Sequence, residues 1–286
     1  MRKIKKIHKA TYAPIADLVT YRALPTDTMP MGALDPFLFL NHHGPQVYKP
    51  KNQGLPFGPH PHRGFETVTF ILEGDIMHQD TGGHESIINA GGIQWMTAGS
   101  GLIHAEVSSE AFKAQGGPLE ILQLWLNLPA QHKMTAPHYV GLQKDEIPSV
   151  SLEDGQVNVY LVAGSWGDTI APIQSFTNLL LSWITFRAGS ELNLQVPAEN
   201  TIFLYVVKGE LNINGQTVKQ LNLVEFTHDD EKLELKASTD SIILFGHGKP
   251  LNEPIVAYGP FVMNTENEIQ QAYQDYQQGK FGTWKE

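Results

Sequence analysis

Two closely spaced pairs of side chains carry the strongest chemical signal in the sequence. His60 and His62 flank Pro61, and His104 and Glu106 repeat the same spacing further along the chain. Proline favours extended backbone both at its own position and at the residue before it. Residues i and i+2 of an extended segment project from the same face. The two imidazoles are therefore predicted to point to one side, where they can share a ligand.

A hairpin or barrel that joins the two pairs would assemble three imidazoles and one carboxylate around one divalent ion. The chain contains no cysteine, so any metal ion must bind through nitrogen and oxygen. Four such ligands leave open positions on an ion that prefers five or six, which suits substrate chemistry. The alternative is a surface turn or a hydrogen-bonded histidine pair without metal. The matched second pair favours a metal site formed by His60, His62, His104 and Glu106.

The remaining polar and apolar residues near these motifs are assigned roles outside the set of four ligands. Glu66 is either a fifth ligand or an acceptor that orients a histidine, and the second role is favoured. Arg63 either holds an anion or pairs with a carboxylate. Four histidines fit turn or surface positions outside the site: His42, His43, His78 and His84. Four apolar residues could line a pocket, although core packing is their default role in strands: Phe39, Phe70, Trp95 and Met96.

The composition excludes several classes of protein. The 286 residues carry a formal net charge of −10, which disfavours direct nucleic-acid binding because such proteins usually present a basic surface. The basic residues 1–6 are not followed by the apolar run of a signal peptide. No stretch approaches the roughly 18 consecutive apolar residues of a membrane span. We therefore expect a cytoplasmic protein without a membrane partner.

Short apolar runs separated by Gly, Pro, Asn and Asp predict an all-β protein with sandwich or barrel domains. The segment 70–75 finds an echo in 205–210, which indicates two similar domains at 1–135 and 136–286, joined by a linker near 133–148. In that register Gln195, Pro197 and Thr201 stand where the first half has His60, His62 and Glu66, so the second half offers no imidazole at those positions. A capping box at Thr265 predicts a C-terminal helix through about residue 278.

Longer motifs resemble the pirin family over nearly the whole chain. They are HPHRGFETVT at 60–69, QWMTAGSG at 94–101 and HAE at 104–106, with shorter matches at 35–38, 124–129 and 259–265. The resemblance implies a bicupin, with two jelly-roll-like β-barrels and a short C-terminal helix. It also implies metal ligation by His60, His62, His104 and Glu106. The chain departs from many members at residues 41–43 and 79–84, where we expect an effect on substrate choice.

The resemblance implies a metal-dependent dioxygenase that opens the ring of a flavonol such as quercetin. Glu106 would be the catalytic residue that accepts the flavonol proton, with a small aromatic substrate and dioxygen as partners. Fe(II) is the first choice of metal, and Ni, Co, Mn, Cu or Zn are alternatives. A non-catalytic regulator that senses metal or redox state and acts through a protein partner would use the same ligands. A sugar-binding or isomerising cupin fits the motifs less well.

Overall fold

The computed structural model describes residues 1–284, most of them in antiparallel β-strands. The helices are α1 (Glu110–Gln115) and α2 (Glu266–Gln277), and three 3-10 turns span Ala130–His132, Lys144–Glu146 and Glu153–Gly155. The strands are, in chain order, β1 (Ile4–Lys9), β2 (Thr11–Tyr12), β3 (Thr20–Leu24), β4 (Phe37–Tyr48), β5 (Phe57–His62), β6 (Phe65–Glu73), β7 (Asp75–Asp80), β8 (Glu85–Asn89), β9 (Ile93–Thr97), β10 (Leu102–Val107), β11 (Gly117–Asn127), β12 (His138–Leu142), β13 (Ser149–Leu152), β14 (Val157–Ala163), β15 (Ser165–Trp166), β16 (Thr169–Ile170), β17 (Leu180–Phe186), β18 (Glu191–Gln195), β19 (Thr201–Lys208), β20 (Glu210–Ile213), β21 (Gln216–Lys219), β22 (Asn222–Phe226), β23 (Lys232–Ala237), β24 (Ser241–Gly248), β25 (Val256–Tyr258) and β26 (Phe261–Met263).

The chain forms two compact units, each built from separate stretches of sequence. The histidine unit comprises Tyr12–Arg22, Leu38–Glu146 and the residues from Asn252 onwards, and the second unit comprises Met1–Thr11, Ala23–Phe37 and Ile147–Leu251. These units differ from the predicted contiguous domains 1–135 and 136–286 at both ends of the chain. The first strand lies in the second unit because β1 pairs with β22. The predicted linker at 133–148 contains the change of unit between Glu146 and Ile147, but its residues 138–142 form β12, which pairs with β9.

Each unit contains one seven-stranded and one four-stranded antiparallel sheet, with one further two-stranded pair, which confirms the predicted all-β, jelly-roll-like fold. The histidine unit has the strand orders β12-β9-β6-β11-β4-β3-β2 and β5-β10-β7-β8. The second unit has the orders β1-β22-β19-β24-β17-β14-β13 and β18-β23-β20-β21. The echoing segments 70–75 and 205–210 begin in β6 and β19, which occupy equivalent central places. The internal repeat therefore reflects a repeated topology.

The core of the histidine unit is filled from its two larger sheets. Ile71 and Ile121 of the seven-stranded sheet pack in one cluster with Ile76 and Ile88 of the four-stranded sheet. Full burial of such a side chain stabilises the fold by roughly 1.5–3 kcal/mol. The four apolar residues assigned to the core by default are all buried, which confirms that assignment: Phe39, Phe70, Trp95 and Met96.

The predicted C-terminal helix is present as α2, with Thr265 as its N-cap. The Glu268 backbone N–H donates to the Thr265 hydroxyl at 3.2 Å, and the Thr265 backbone N–H donates to the Glu268 carboxylate at 2.8 Å. This reciprocal pair is the capping box that the sequence predicted. The chain leaves the helix through Gly279, which has a φ of +74°. No helix within residues 1–284 has the length and apolar character needed to cross a membrane.

Candidate metal centre

The structure brings three of the four predicted ligands into one cluster. His104 of β10 stands directly opposite His60 of β5, and His62 stands opposite Leu102. Residues opposite each other across an antiparallel pair share a face of the sheet. The ring centroids lie 4.8 Å apart for His60 and His62, 4.4 Å for His60 and His104, and 5.0 Å for His62 and His104. One nitrogen from each ring lies within 4.8 Å of the others, as metal ligation requires.

The hydrogen bonds of the histidine trio leave ring nitrogens available to bind a metal ion. His60 Nδ1 lies 2.8 Å from the Gly58 carbonyl oxygen, and His62 Nδ1 lies 3.1 Å from that of Pro260. A carbonyl only accepts, so each Nδ1 carries the proton and each Nε2 keeps its lone pair. The buried His62 Nε2 has no protein partner, nor does either nitrogen of His104. Such unpaired groups cost about 1–3 kcal/mol each, which a bound metal ion would offset.

Burial keeps two of the three imidazoles in the form that binds metals. Desolvation, reinforced by the positive charge that His60 would carry, lowers the pKa of His62 from 6.5 to about 3. Desolvation lowers the pKa of His104 well below 6.5. The positive charges that His62, His60 and His78 would carry lower it further. Both rings are neutral at physiological pH. A neutral imidazole is the protonation state that coordinates a metal ion.

The stability of the ion-free protein is expected to fall as the pH drops from about 6.5 towards 3. In that window the unfolded state takes up a proton at His62, whereas the folded state resists it until the pKa near 3. This difference in protonation of His62 alone should lower the free energy of unfolding by about 3 kcal/mol between pH 7 and pH 4. Urea unfolding in chelator at several pH values measures this. His62→Gln should flatten the profile by that amount, and parallel profiles would contradict the expectation.

The fourth predicted ligand, Glu106, lies beside the trio and is held by two other side chains. It is buried on β10 two residues after His104, so the two side chains leave the strand on the same side. The Thr69 hydroxyl donates to Oε1 at 2.7 Å, and the Gln123 amide donates to Oε2 at 2.5 Å. The cluster of mutually close ligand atoms consists of the three imidazoles. The assignments of Glu106 as ligand and as catalytic residue stay predictions.

A buried His78–Asp80 pair lies next to the trio and was missed by the sequence analysis. On β7, His78 stands opposite Glu106, and Asp80 stands opposite His104. His78 Nε2 lies 2.9 Å from Asp80 Oδ2, and its ring stacks on Tyr139 with centroids 3.9 Å apart. The His78 and His104 ring centroids are 5.6 Å apart. The turn or surface position predicted for His78 is wrong, although its i, i+2 spacing from Asp80 was a readable signal.

The other three histidines set aside by the sequence analysis lie outside the trio. His42 and His43 are buried in β4, so their predicted turn or surface positions are wrong. His42 Nε2 lies 2.8 Å from Glu120 Oε1, and His43 Nδ1 lies 2.8 Å from the Thr20 hydroxyl. His84 is exposed just before β8, as predicted, with Nδ1 3.1 Å from the Asp80 carboxylate. These contacts explain His42 and His43 as hydrogen-bonded core residues.

The Glu66 side chain projects from the face of β6 opposite to the one that carries Thr69. On β6 it is three residues from Thr69, which contacts Glu106, and an odd offset in a strand reverses the face. Its Oε1 accepts hydrogen bonds from Trp95 Nε1 at 3.0 Å and from the Thr97 hydroxyl at 2.7 Å. Glu66 is therefore not positioned as a fifth ligand on the face that carries Thr69.

Aromatic rings line the His62 side of the trio. The Trp125 ring centroid lies 5.4 Å from that of His62 and 4.4 Å from that of Phe39, on which it stacks. The Phe65 and His62 ring centroids are 5.0 Å apart. The Arg22 guanidinium lies 4.3 Å from the Phe39 ring centroid, and its Nε donates to Asn41, one of the residues that depart from the family pattern. His60 is half-exposed, whereas His62 and His104 are buried. Solvent therefore approaches the trio from the His60 side.

The second unit carries no comparable cluster among the residues that the structure describes. The strand equivalent to β5 is β18, which ends at Gln195. Across residues 1–284 the three imidazoles of the histidine unit form the group of ligand atoms suited to one ion. The absence of a metal site from the second half stays a prediction.

Comparisons with known proteins agree on one family. The sequence model of pirin matches residues 18–126, and that of the pirin C-terminal cupin domain matches residues 182–282. A Pseudomonas aeruginosa protein provisionally named a quercetin 2,3-dioxygenase is 38% identical over 268 residues, which is 94% of this chain and 92% of that protein. A pirin-like protein of Solanum lycopersicum is 39% identical over 253 residues, covering 87% of this chain and 82% of that one.

Solved structures extend the agreement to the fold. The crystal structure of a quercetin 2,3-dioxygenase from Acinetobacter baumannii superposes with a TM-score of 0.93 at 33% sequence identity, and the match covers 99% of each chain. Both predicted cupin domains are therefore present, in an arrangement of strands that a solved relative shares. Together with the two sequence-model matches, this similarity shows that the chain belongs to the pirin family.

Proposed function

We propose that this chain is a metal-dependent dioxygenase that opens the oxygen-containing ring of a flavonol such as quercetin. The observation that carries the proposal is the trio of imidazoles, in which the buried His62 Nε2 and both ring nitrogens of His104 lack protein partners. The relatives named quercetin 2,3-dioxygenases supply the substrate class. The partly exposed Trp125 ring beside His62 suits a flat substrate, because aromatic rings pack favourably on one another.

The residues around the trio divide the work of such a reaction. A divalent ion held by His60, His62 and His104 would supply a Lewis acid for the flavonol hydroxyl and a redox centre for dioxygen. Glu106 accepts the hydroxyl proton, either as a fourth ligand or beside the ion. Thr69 and Gln123 fix the orientation of its carboxylate. Phe65 and Trp125 exclude water from the His62 side.

Fe(II) remains our first choice of metal, and Ni, Co, Mn, Cu and Zn are alternatives. Imidazole nitrogen suits most of these ions, and raw affinity in such a site favours copper or nickel over iron. Iron is nevertheless the proposed working metal because it combines an oxygen-reactive redox couple with open coordination positions. Metal analysis after loading with each ion in turn, followed by turnover measurements, tests this choice.

The test of the proposal is quercetin turnover by iron-loaded protein in air. We expect the quercetin absorbance to fall faster than it does with free Fe(II). One carbon monoxide should be trapped for each quercetin consumed, because the ring opening expected of this family releases carbon monoxide. His62→Ala should lose both signals, because it removes one ligand of the trio. Protein stripped of metal by a chelator should be equally inactive.

A regulator that acts through protein partners would give a different result. If the native protein binds one ion per chain and quercetin persists at the background rate, the dioxygenase proposal is overturned. That outcome would favour the non-catalytic metal or redox sensor, because the same three imidazoles would serve it. The next measurement would then compare the surfaces of metal-loaded and metal-free protein by hydrogen exchange.

A further inference from the structure

We infer that residues 256–281, which contain β25, β26 and α2, act as a C-terminal clamp that positions the metal-ligating histidines, with Asp275 as its central positioning residue. The inference rests on the proposed metal site and does not depend on the flavonol substrate. The clamp belongs to the histidine unit, although it is separated from β5 and β10 by most of the chain. Three separate links join it to the strands that carry the trio.

The first link joins the clamp to His62, the last residue of β5, and to the residue that follows it. The Pro260 carbonyl accepts from His62 Nδ1 at 3.1 Å, and the Val262 backbone N–H donates to the Arg63 carbonyl at 3.1 Å. Gly64 allows this approach, because its φ is +88° and an added Cβ would lie 2.0 Å from the Val262 carbonyl oxygen. The clamp thereby selects the His62 tautomer that leaves Nε2 free for an ion.

The second link is a buried guanidinium that joins three segments. Arg63 donates from Nη1 to Asp275 Oδ2 at 2.8 Å and from Nε to the Ser100 carbonyl at 2.8 Å, and it lies 4.7 Å from the Phe281 ring centroid. It is 4% exposed. One side chain therefore ties the residue after His62 to α2 and to the loop that leads into β10.

Other contacts of Asp275 hold its carboxylate in place. The side chains of Lys280 and Gln271 donate to Oδ1 at 2.7 Å and 2.9 Å. Hydrogen bonds from Lys280, Arg63 and Gln271 hold the pKa of Asp275 well below its usual range. The carboxylate is therefore ionised at neutral pH, where it is a charged partner for Arg63.

The third link reaches His104 through Thr81. The Ile103 backbone N–H donates to the Thr81 hydroxyl at 3.1 Å, and that hydroxyl donates to the Phe281 carbonyl at 2.6 Å. The Phe281 ring also packs on Gly101, where an added Cβ would lie 2.6 Å from the ring. The residue before His104 and the loop before β10 are thus both held by the end of the clamp.

Apolar contacts anchor the clamp independently of Asp275. Ile269 and Ala272 of α2 pack with Phe261, Met263 and Phe281 in one buried cluster. Burial of these side chains accounts for the attachment of the helix, since each contributes through the area it removes from water. Loss of the Asp275 charge should therefore disturb the position of Arg63 and the histidines more than the attachment of the helix.

The test compares divalent-ion binding by the full-length native chain and by Asp275→Asn. We expect the Kd for Co(II), measured by calorimetric titration, to weaken about tenfold to a hundredfold, as for other residues that orient metal ligands. The visible spectrum of bound Co(II), which reports coordination geometry, should also change. Asp240→Asn is the matched control, because Asp240 pairs with Arg187 at an exposed site in the second unit. That variant should bind Co(II) with the native Kd and spectrum.

A second variant separates positioning from stability. Asp275→Asn leaves the Arg63 charge buried without its partner, which destabilises proteins more than removal of both charges does. Arg63→Met combined with Asp275→Leu removes both charges and should restore thermal stability, while Co(II) binding stays weak because the link to Ser100 is lost. A folded Asp275→Asn or double variant with the native Kd and spectrum would overturn the clamp. Native protein that binds Co(II) without consuming quercetin in its iron form would overturn the dioxygenase alone.

Discussion

His104→Leu is expected to abolish metal binding and, at the same time, to stabilise the ion-free protein. Both ring nitrogens of His104 are buried without a hydrogen-bond partner, and leucine carries no polar atom to leave unpaired. Relief of each unpaired group is worth about 1–3 kcal/mol, less any cost of imperfect packing. Loss of one imidazole leaves two of the trio to hold an ion. Stability and metal binding should therefore move in opposite directions.

Thermal unfolding with and without Ni(II) measures both effects of this substitution. Ligand at a hundred times its Kd should stabilise the native protein by about 2.7 kcal/mol, and the variant should show no such gain. His43→Leu is the matched control, because His43 is equally buried but bonds to Thr20. That control should lose stability and keep its response to Ni(II). A persisting Ni(II) response in His104→Leu would remove His104 from the site.

Glu106→Gln is expected to reduce quercetin turnover about a hundredfold or more, as loss of a positioned proton acceptor typically does. The amide has nearly the same shape, and its oxygen can still accept from Thr69 or Gln123. It cannot take up the flavonol proton, and it brings no charge to an ion. If Glu106 is also a ligand, the metal Kd should weaken in the same variant.

Turnover at saturating Fe(II) and the Kd for Fe(II), measured separately, distinguish these two roles of Glu106. A loss of turnover with an unchanged Kd would make Glu106 a proton acceptor only. Glu120→Gln provides the control, because Glu120 is a carboxylate that pairs with His42 outside the trio. It should turn over quercetin at the native rate. Native turnover by Glu106→Gln would exclude Glu106 from the mechanism.

Features with a short sequence span were predictable from local geometry. The extended segment around Pro61 places His60 and His62 on one face, because side chains alternate along any strand. The helix start at Thr265 was equally readable, since the capping box needs only residues that lie three apart. The same alternation could have placed His78 and Asp80 together, and that pair was overlooked because histidine alone suggested a surface turn.

The composition of the two units was beyond local reasoning. The pairing of β1 with β22 joins residues such as Ile7 and Val224, and no short sequence motif predicts a pairing between strands so far apart in the chain. The C-terminal stretch joins the histidine unit through contacts equally remote in sequence, such as Arg63 with Asp275. Domain boundaries inferred from an internal repeat assume that each domain is one continuous stretch of sequence. Here the first strand and the final stretch each belong to the unit formed mainly by the other half.

The types of the candidate ligands, their spacing and the faces from which they project follow from short stretches of sequence, because those properties depend on neighbours a few residues away. Long-range packing places His104 opposite His60, brings Thr69 and Gln123 to Glu106, and sets the tautomer of His62 through the Pro260 carbonyl. The last contact joins residues 198 positions apart. Such contacts follow from the packing of whole sheets, in which burial of many apolar side chains outweighs any local preference.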